Sequence, residues 1–345
     1  MTTTFELPSL YCPIPSVLHP RAGELADATL TWLDGHGLLG GDAEGMAELV
    51  EFAARTVPDA LPDRAELVAQ YTCWAALFRR ERFAEGVSSA RFLGRVVGFG
   101  HVLDAPEVPV LVGDPFADAL RDLLRRCRRS VTPLQLRRFT EAVRAWWLGL
   151  AAERAGAERG LRPGLAEWMV LRPQCGAAAT MGVKVEVSLG PEVPEWELNG
   201  PAARAATEAA WTAALVDHDL LAYRRGTEPS ALNVVSALLV DTPSLSVPEA
   251  LAAAADVRDR SLALFLRLRA QLLPLSGPAM RRYLAGVGRA VAGNTEWHLR
   301  AGSGAPVRRD DRGVSMEPLA VPTVSWWWEQ LDTGAKVPGP RGPFG

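Results

Sequence analysis

A chain of 345 residues, 48% of them hydrophobic, is long enough to bury a large core. Its 37 basic and 40 acidic residues leave a net charge of -3, which excludes a global field that would draw it to nucleic acid or an anionic membrane. No run of about 18 apolar residues occurs, and no charged stretch leads into an apolar one at the N-terminus. A soluble, cytoplasmic protein without a membrane span is therefore expected.

The first twenty residues hold Pro8, Pro13, Pro15 and Pro20, which rule out helix and predict an extended segment over 1–22 running along the surface. From Gly23 the pattern is helical. Segments 25–39 and 46–57 place apolar residues three and four apart, and each is closed by Gly or Pro. A helix over 63–86 opens with Asp63 and Glu66 in capping-box spacing. Further helices are predicted over 119–129, after the Gly113-Asp114-Pro115 break, and over 133–157, 165–173, 202–225, 247–273 and 277–297.

Only 183–189, VKVEVSL, alternates like a strand, and it reads better as part of a helix interrupted near Gly176 and Gly182. No interior linker, repeat or change of composition divides the chain, so the expectation is an all-α fold, one helical domain over 1–300. Residues 301–345 turn to Gly, Pro and Arg, predicting a loop-rich tail that is partly disordered or acts as a lid. That tail carries Trp326, Trp327 and Trp328, which cannot all face one way; a latch over the cavity or a partner groove is expected, with a substrate clamp as the alternative. Cys12, Cys73, Cys127 and Cys175 lie far apart and are expected to be reduced thiols. Among the basic residues only Lys184 and Lys336 are lysines, which reads as the mutational bias of a GC-rich genome.

Several patches, in order and at matching spacing, carry a resemblance. The opening FELPSLYCPIPSVLHP, the segment DPFADALRDLLRR at 114–126 and LRPGLAEWMVLRPQCG at 161–176 together resemble the bacterial class I terpene synthases, over nearly the whole chain to about Trp297. The resemblance implies a helical bundle around a central apolar cavity, with Trp168 where the family usually has Tyr. It also implies that Arg172 matches the residue that senses diphosphate and Gly176 the effector position, while Cys175 stands where an acidic linker is common.

Arg172 and His218 are 46 residues apart, the family's interval between sensor and second metal site. There the family repeats an Asn, a Ser and a Glu every four positions on one helical face to bind Mg²⁺. Here the equivalents are His218, Ala222 and Gly226, although Asp219, Leu220, Tyr223, Arg225 and Asn233 keep the register. The family's paired aspartates correspond to Arg79, Arg80, Glu81, Ala84 and Glu85, and its closing Arg-Tyr pair is replaced by HLRAGSGA. Hard cations take oxygen donors, and two arginines repel them.

The residues predict a cavity whose aromatic wall is drawn from Trp74, Phe78, Trp147, Trp168, Trp211 and Trp297, and whose mouth carries Arg79, Arg80, Glu81, Glu85, Arg172, Asp217, His218, Asp219, Tyr223 and Arg225, with Asn294 nearby. Imidazole titrates near neutral pH, so His218, tuned by Asp217 or Asp219, is a candidate acid–base group. Alternatively His218 and Asp219 pair with Arg79 or Arg80 and fill the vacated metal site. Arg172 and Arg225 are either anion binders or salt-bridged within the bundle.

Three readings stand in order. The first is a cyclase or isomerase of natural-product biosynthesis that shapes a hydrophobic polyene or isoprenoid with no cofactor. The second is a conventional Mg²⁺-dependent sesqui- or diterpene synthase whose ligands include Glu81, Glu85, Asp217 and Asp219. The third is a non-catalytic isoprenoid-binding protein or pseudoenzyme. A homodimer is possible in each; nucleic acid is not an expected partner.

Overall fold

The computed structural model describes residues 5–83, 86–224, 232–300 and 307–331. After a short strand, β1 (Leu10–Tyr11), helices follow one another: α1 (Ala22–Gly35), α2 (Ala43–Thr56), α3 (Pro62–Arg82), α4 (Ser89–Asp104), α5 (Pro115–Ser130) and α6 (Pro133–Glu158). The second half contains α7 (Leu165–Cys175), α8 (Ala178–Leu189), α9 (Glu195–Leu198), α10 (Pro201–Arg224), α11 (Val234–Asp241), α12 (Val247–Leu272) and α13 (Pro278–Arg300). A second strand, β2 (Val307–Arg308), and a 3₁₀ helix (Pro322–Gln330) complete the described chain. The all-α expectation holds: the two strands form only a two-residue parallel pair.

Local chemistry sets the helix starts. Asp114 accepts from the Phe116 and Ala117 amides ahead of Pro115, and Thr132 and Gln135 form a reciprocal capping box ahead of Pro133. Glu66 does not cap α3 as predicted: that helix begins at Pro62, and Glu66 accepts from Gln70 and pairs with Arg126. α4 was not predicted, because Gly94, Gly98 and Gly100 dilute its apolar pattern. Segment 183–189 is helical as read, but the break falls at Gly176 and Ala177 and α8 runs straight through Gly182.

The centre of the bundle is α10, which packs most extensively on α12 and then on α13. Ala206, Ala210 and Ala213 are fully buried, and side chains this small let the backbones approach closely. A similar approach joins α13 to α2, where a Cβ on Gly293 would stand 2.5 Å from the Arg55 carbonyl carbon.

The N-terminal segment is extended as expected but more deeply buried. Leu10, Tyr11, Cys12 and His19 are buried rather than lying on the surface. The Tyr11 amide donates to Asp259 on α12 and its carbonyl accepts from Arg258, so the peptide group of the segment is satisfied inside the protein. In the tail, 307–331 packs onto the bundle, and 301–306 and 332–345 lie outside the described residues. Trp328 donates to the Met316 carbonyl, Trp327 donates to Glu208 on α10, and Arg204 lies over Trp326.

Gly293→Ala is expected to cost about 2–4 kcal/mol, because the methyl must push α13 from α2. Gly94→Ala, whose Cβ meets nothing within 4 Å, should be neutral or stabilising by up to about 1 kcal/mol. Urea denaturation of both variants checks the pair.

Candidate active site

The break between α7 and α8 is built around Arg172. Its Nε donates to Asp219 Oδ1 at 2.9 Å and its guanidinium forms a buried ion pair with that carboxylate at 2.8 Å. The chain must turn tightly past this guanidinium: a Cβ at Gly176 would lie 2.5 Å from Arg172 Nη1 and 2.8 Å from the Arg172 carbonyl. Glycine is thus required by close approach, while the left-handed turn is taken by Ala177 at φ +61°. Arg79, from α3, reaches across to donate to the Cys175 carbonyl at 3.3 Å and pairs with Glu153 at 3.0 Å.

On α10, two aspartates are consumed by the fold. Asp219 accepts from Arg172 on one oxygen and, on the other, from Trp168 Nε1 and the Val234 amide, both at 3.0 Å. Burial alone would raise its pKa, but the Arg172 guanidinium, with His218 beside it, outweighs that and holds it below the ordinary carboxylate value. Asp217 accepts from Arg258 at 2.8 Å, Thr295 at 2.6 Å and Asn294 at 3.1 Å. Neither carboxylate reaches the cavity surface.

His218 stands between them and does. Arg172 Nη2 lies 3.2 Å from His218 Nδ1, and since a guanidinium only donates, Nδ1 accepts and Nε2 carries the proton. The imidazole is 58% exposed and stacks edge-on to His298 at 5.5 Å.

These groups ring the mouth of a cavity of about 450 Å³ enclosed by α2, α3, α6, α7, α8, α10 and α13. Arg79, Arg172, Gly176, His218, Asn294 and Trp297 all line it. Most of the aromatic wall differs from prediction. Trp74 and Phe78 stack on each other in the core at 4.9 Å, with Trp74 donating to the Phe116 carbonyl. Trp147 joins that cluster, and Trp168 is buried on Asp219. The periodicity that made them candidates belongs to a core between helices. Trp211 lines a different cavity of about 710 Å³, with Tyr283 and the tail residues Val324 and Trp327. Central wall positions fall instead to Phe52, Tyr71, Trp146 and Met181.

Other predicted mouth residues lie apart. Arg80 pairs with Asp42 at 2.7 Å on the surface, and Glu81 is exposed near Arg80 at 3.9 Å. Tyr223 is half-buried against the core and does not line the cavity. Glu85 and Arg225 lie outside the described residues.

The described residues do not fit a magnesium cluster. Asp217, Asp219 and Glu153 each face an arginine, and Ala222 offers the cavity no side-chain oxygen. Among the described residues no group of three His, Cys, Asp or Glu is placed to hold a metal ion.

Sequence reasoning passed over Lys184. Its Nζ lies 3.4 Å from Thr72 Oγ1 inside the cavity, and burial pushes its pKa down to about 8. Scarcity of lysine was a signal, read only as composition.

The fold and this mouth-and-cavity arrangement define a terpenoid-cyclase type of helical bundle. Residues 96–263 match the family model described as "Terpene synthase family 2, C-terminal metal binding". The chain is 31% identical to spiroviolene synthase of Streptomyces violens, over 95% of this chain and 98% of that one. It is 29% identical to phomopsene synthase of Allokutzneria albata, over 94% and 97% of the two chains. The crystal structure of SVS_A2, a protein from ancestral sequence reconstruction, superposes with a TM-score of 0.85 at 31% identity, covering 94% of this chain and 99% of that one. The chain belongs to the bacterial class I terpene synthase family. No helix among the described residues is long and apolar enough to cross a membrane.

The amine of Lys184 also makes a stability prediction. Below about pH 8 it is protonated folded or unfolded, and the folded state bears the full desolvation cost. Between about pH 8 and its ordinary 10.5 the unfolded chain holds a proton that the folded chain lacks, so stability rises with pH there. Lys184→Met should therefore stabilise by about 1–3 kcal/mol at neutral pH, with the gain shrinking toward pH 10. Chemical denaturation across that range tests it.

Proposed function

We propose that the chain is a terpene-cyclase-type enzyme that folds a polyene or isoprenoid in the central cavity and works without a magnesium–diphosphate cluster. One observation carries the reading: the face that α10 turns to the cavity presents His218 and Ala222, while the flanking Asp219 and Asp217 turn away from it and are closed by buried Arg172 and Arg258. The sensor arginine of the family thereby becomes a structural partner. Remaining at the mouth is His218, whose Nδ1 accepts from Arg172 while its other face stays open, beside His298. In this reading His218 moves a proton to or from a substrate whose hydrocarbon lies against Phe52, Trp146 and Trp297.

A conventional Mg²⁺-dependent reaction is the second reading, favoured by the relatives, which are named as terpene synthases, and by the "metal binding" description of the family model. The (+)-T-muurolol synthase of Streptomyces clavuligerus, 27% identical, is named as cyclising farnesyl diphosphate.

Purified protein incubated with geranyl, farnesyl and geranylgeranyl diphosphates should release no diphosphate that depends on Mg²⁺. Metal-dependent release with hydrocarbon products would establish the second reading and remove the first. For any polyene that is turned over, His218→Gln should lower kcat by about a hundredfold or more, and wild-type turnover in that variant would discard the acid–base role.

A further inference from the structure

Lys184 stands at the end of the cavity remote from Arg172 and His218. It reaches Thr72 on α3, seven residues before the mouth residue Arg79 and so roughly 10 Å from it along that helix axis. Side chains from α3 and α8 surround it, among them Tyr71, Met181 and Val185, and a small apolar pocket lined by Leu67, Leu136 and Phe139 lies behind it. Its one polar contact among the described residues is the Thr72 hydroxyl, which donates its own proton to the Val68 carbonyl. No carboxylate among the described residues is paired with it. The titratable groups facing it, Tyr71 and Cys73 from α3 and Cys127 from α5, are all shifted upward by burial and stay neutral. The amine therefore lacks the anion that would hold it protonated, and burial brings its pKa to about 8. In a chain where 35 of the 37 basic residues are arginine, this is a position where an amine differs in kind, because a guanidinium keeps its proton.

The neutral fraction of this amine, which grows as pH rises through about 8, is a nucleophile toward carbonyl carbon on the floor of an apolar cavity. We propose that Lys184 captures the carbonyl end of an isoprenoid aldehyde as an imine, with the hydrocarbon chain lying toward the mouth; this rests on the reading that the cavity takes an isoprenoid. In the step, the Nζ lone pair forms a C–N bond to the aldehyde carbon as the C=O π bond opens. The oxygen takes up protons and leaves as water, so that amine, aldehyde and one proton give one iminium ion and one water. Conjugated to a polyene, that iminium draws electrons from the chain and makes its allylic C–H bonds acidic. Double-bond isomerisation then becomes possible without a diphosphate leaving group.

The test is reductive trapping of the full-length protein with geranial and with farnesal in the presence of cyanoborohydride, read by intact mass and peptide mapping. One adduct per chain is expected, on the peptide containing Lys184, rising with pH through about 8 and lost in Lys184→Arg and Lys184→Met. Acetaldehyde should not favour Lys184 over Lys336. Labelling that persists in the Lys184→Arg variant, or that falls equally on Lys336 and the α-amino group, overturns the proposal. Quenching of tryptophan fluorescence by farnesol separates the two ideas. Farnesol binding without an adduct sinks the lysine step and leaves the isoprenoid cavity standing, whereas no binding of farnesol or aldehyde sinks both. Tight binding of farnesoic acid that depends on Lys184, again without an adduct, would show an ion-pairing site instead of a covalent one.

Discussion

The structure turns on two buried aspartates of one helix. Asp217 and Asp219 are two positions apart on α10, so their side chains project about 200° apart around the axis. One enters the interface with α12 and α13, the other the interface with α7. Each meets an arginine, and each has its remaining lone pairs taken by Thr295 and Asn294 or by Trp168 and the Val234 amide. Such pairs contribute little net stability against an apolar core, but removing one partner costs about 3–5 kcal/mol, so they fix geometry firmly. Between the two lies His218, the one residue of the trio that faces the cavity.

The Arg258 side of this arrangement extends to both ends of the chain. Its guanidinium joins Asp217, Asp259, Thr295 and the Tyr11 carbonyl, while Arg308 reaches the other oxygen of Asp259. The N-terminal strand, the centre of the bundle and the start of the tail are therefore tied to one fully buried charge. The Arg172 side positions the α7–α8 turn and hence the rim of the cavity. The two carboxylates of α10 are directed inward and neutralised. The cavity left behind is cationic or neutral at its rim, apolar along its walls, and holds one amine at its floor.

Amphipathic periodicity, Pro and Asp caps and the order of several patches made the helices and the family legible in the sequence. The same periodicity misplaced most of the aromatic wall. Trp74 and Phe78 recur at helical spacing, which identifies a buried face and does not say whether that face meets a neighbouring helix or an open space. Trp146 and Trp147 are adjacent, and only packing decided that the first lines the cavity and the second fills the core. The glycine-rich α4 was hidden because its stability comes from packing and not from propensity.

By itself the sequence determined the all-α class and the family, and that His218, Ala222 and Arg79 carry no side-chain oxygen, because donor chemistry is a property of residue type. It did not determine which aspartate answers which arginine, since Asp219 and Arg172 lie 47 residues apart and Asp217 and Arg258 lie 41 apart. Those choices depend on interhelical distances of a few ångströms, and so does the difference between a lysine that signals codon usage and one that points its amine into the cavity. Only the tertiary structure brings α3, α7, α8, α10 and α12 close enough to settle them.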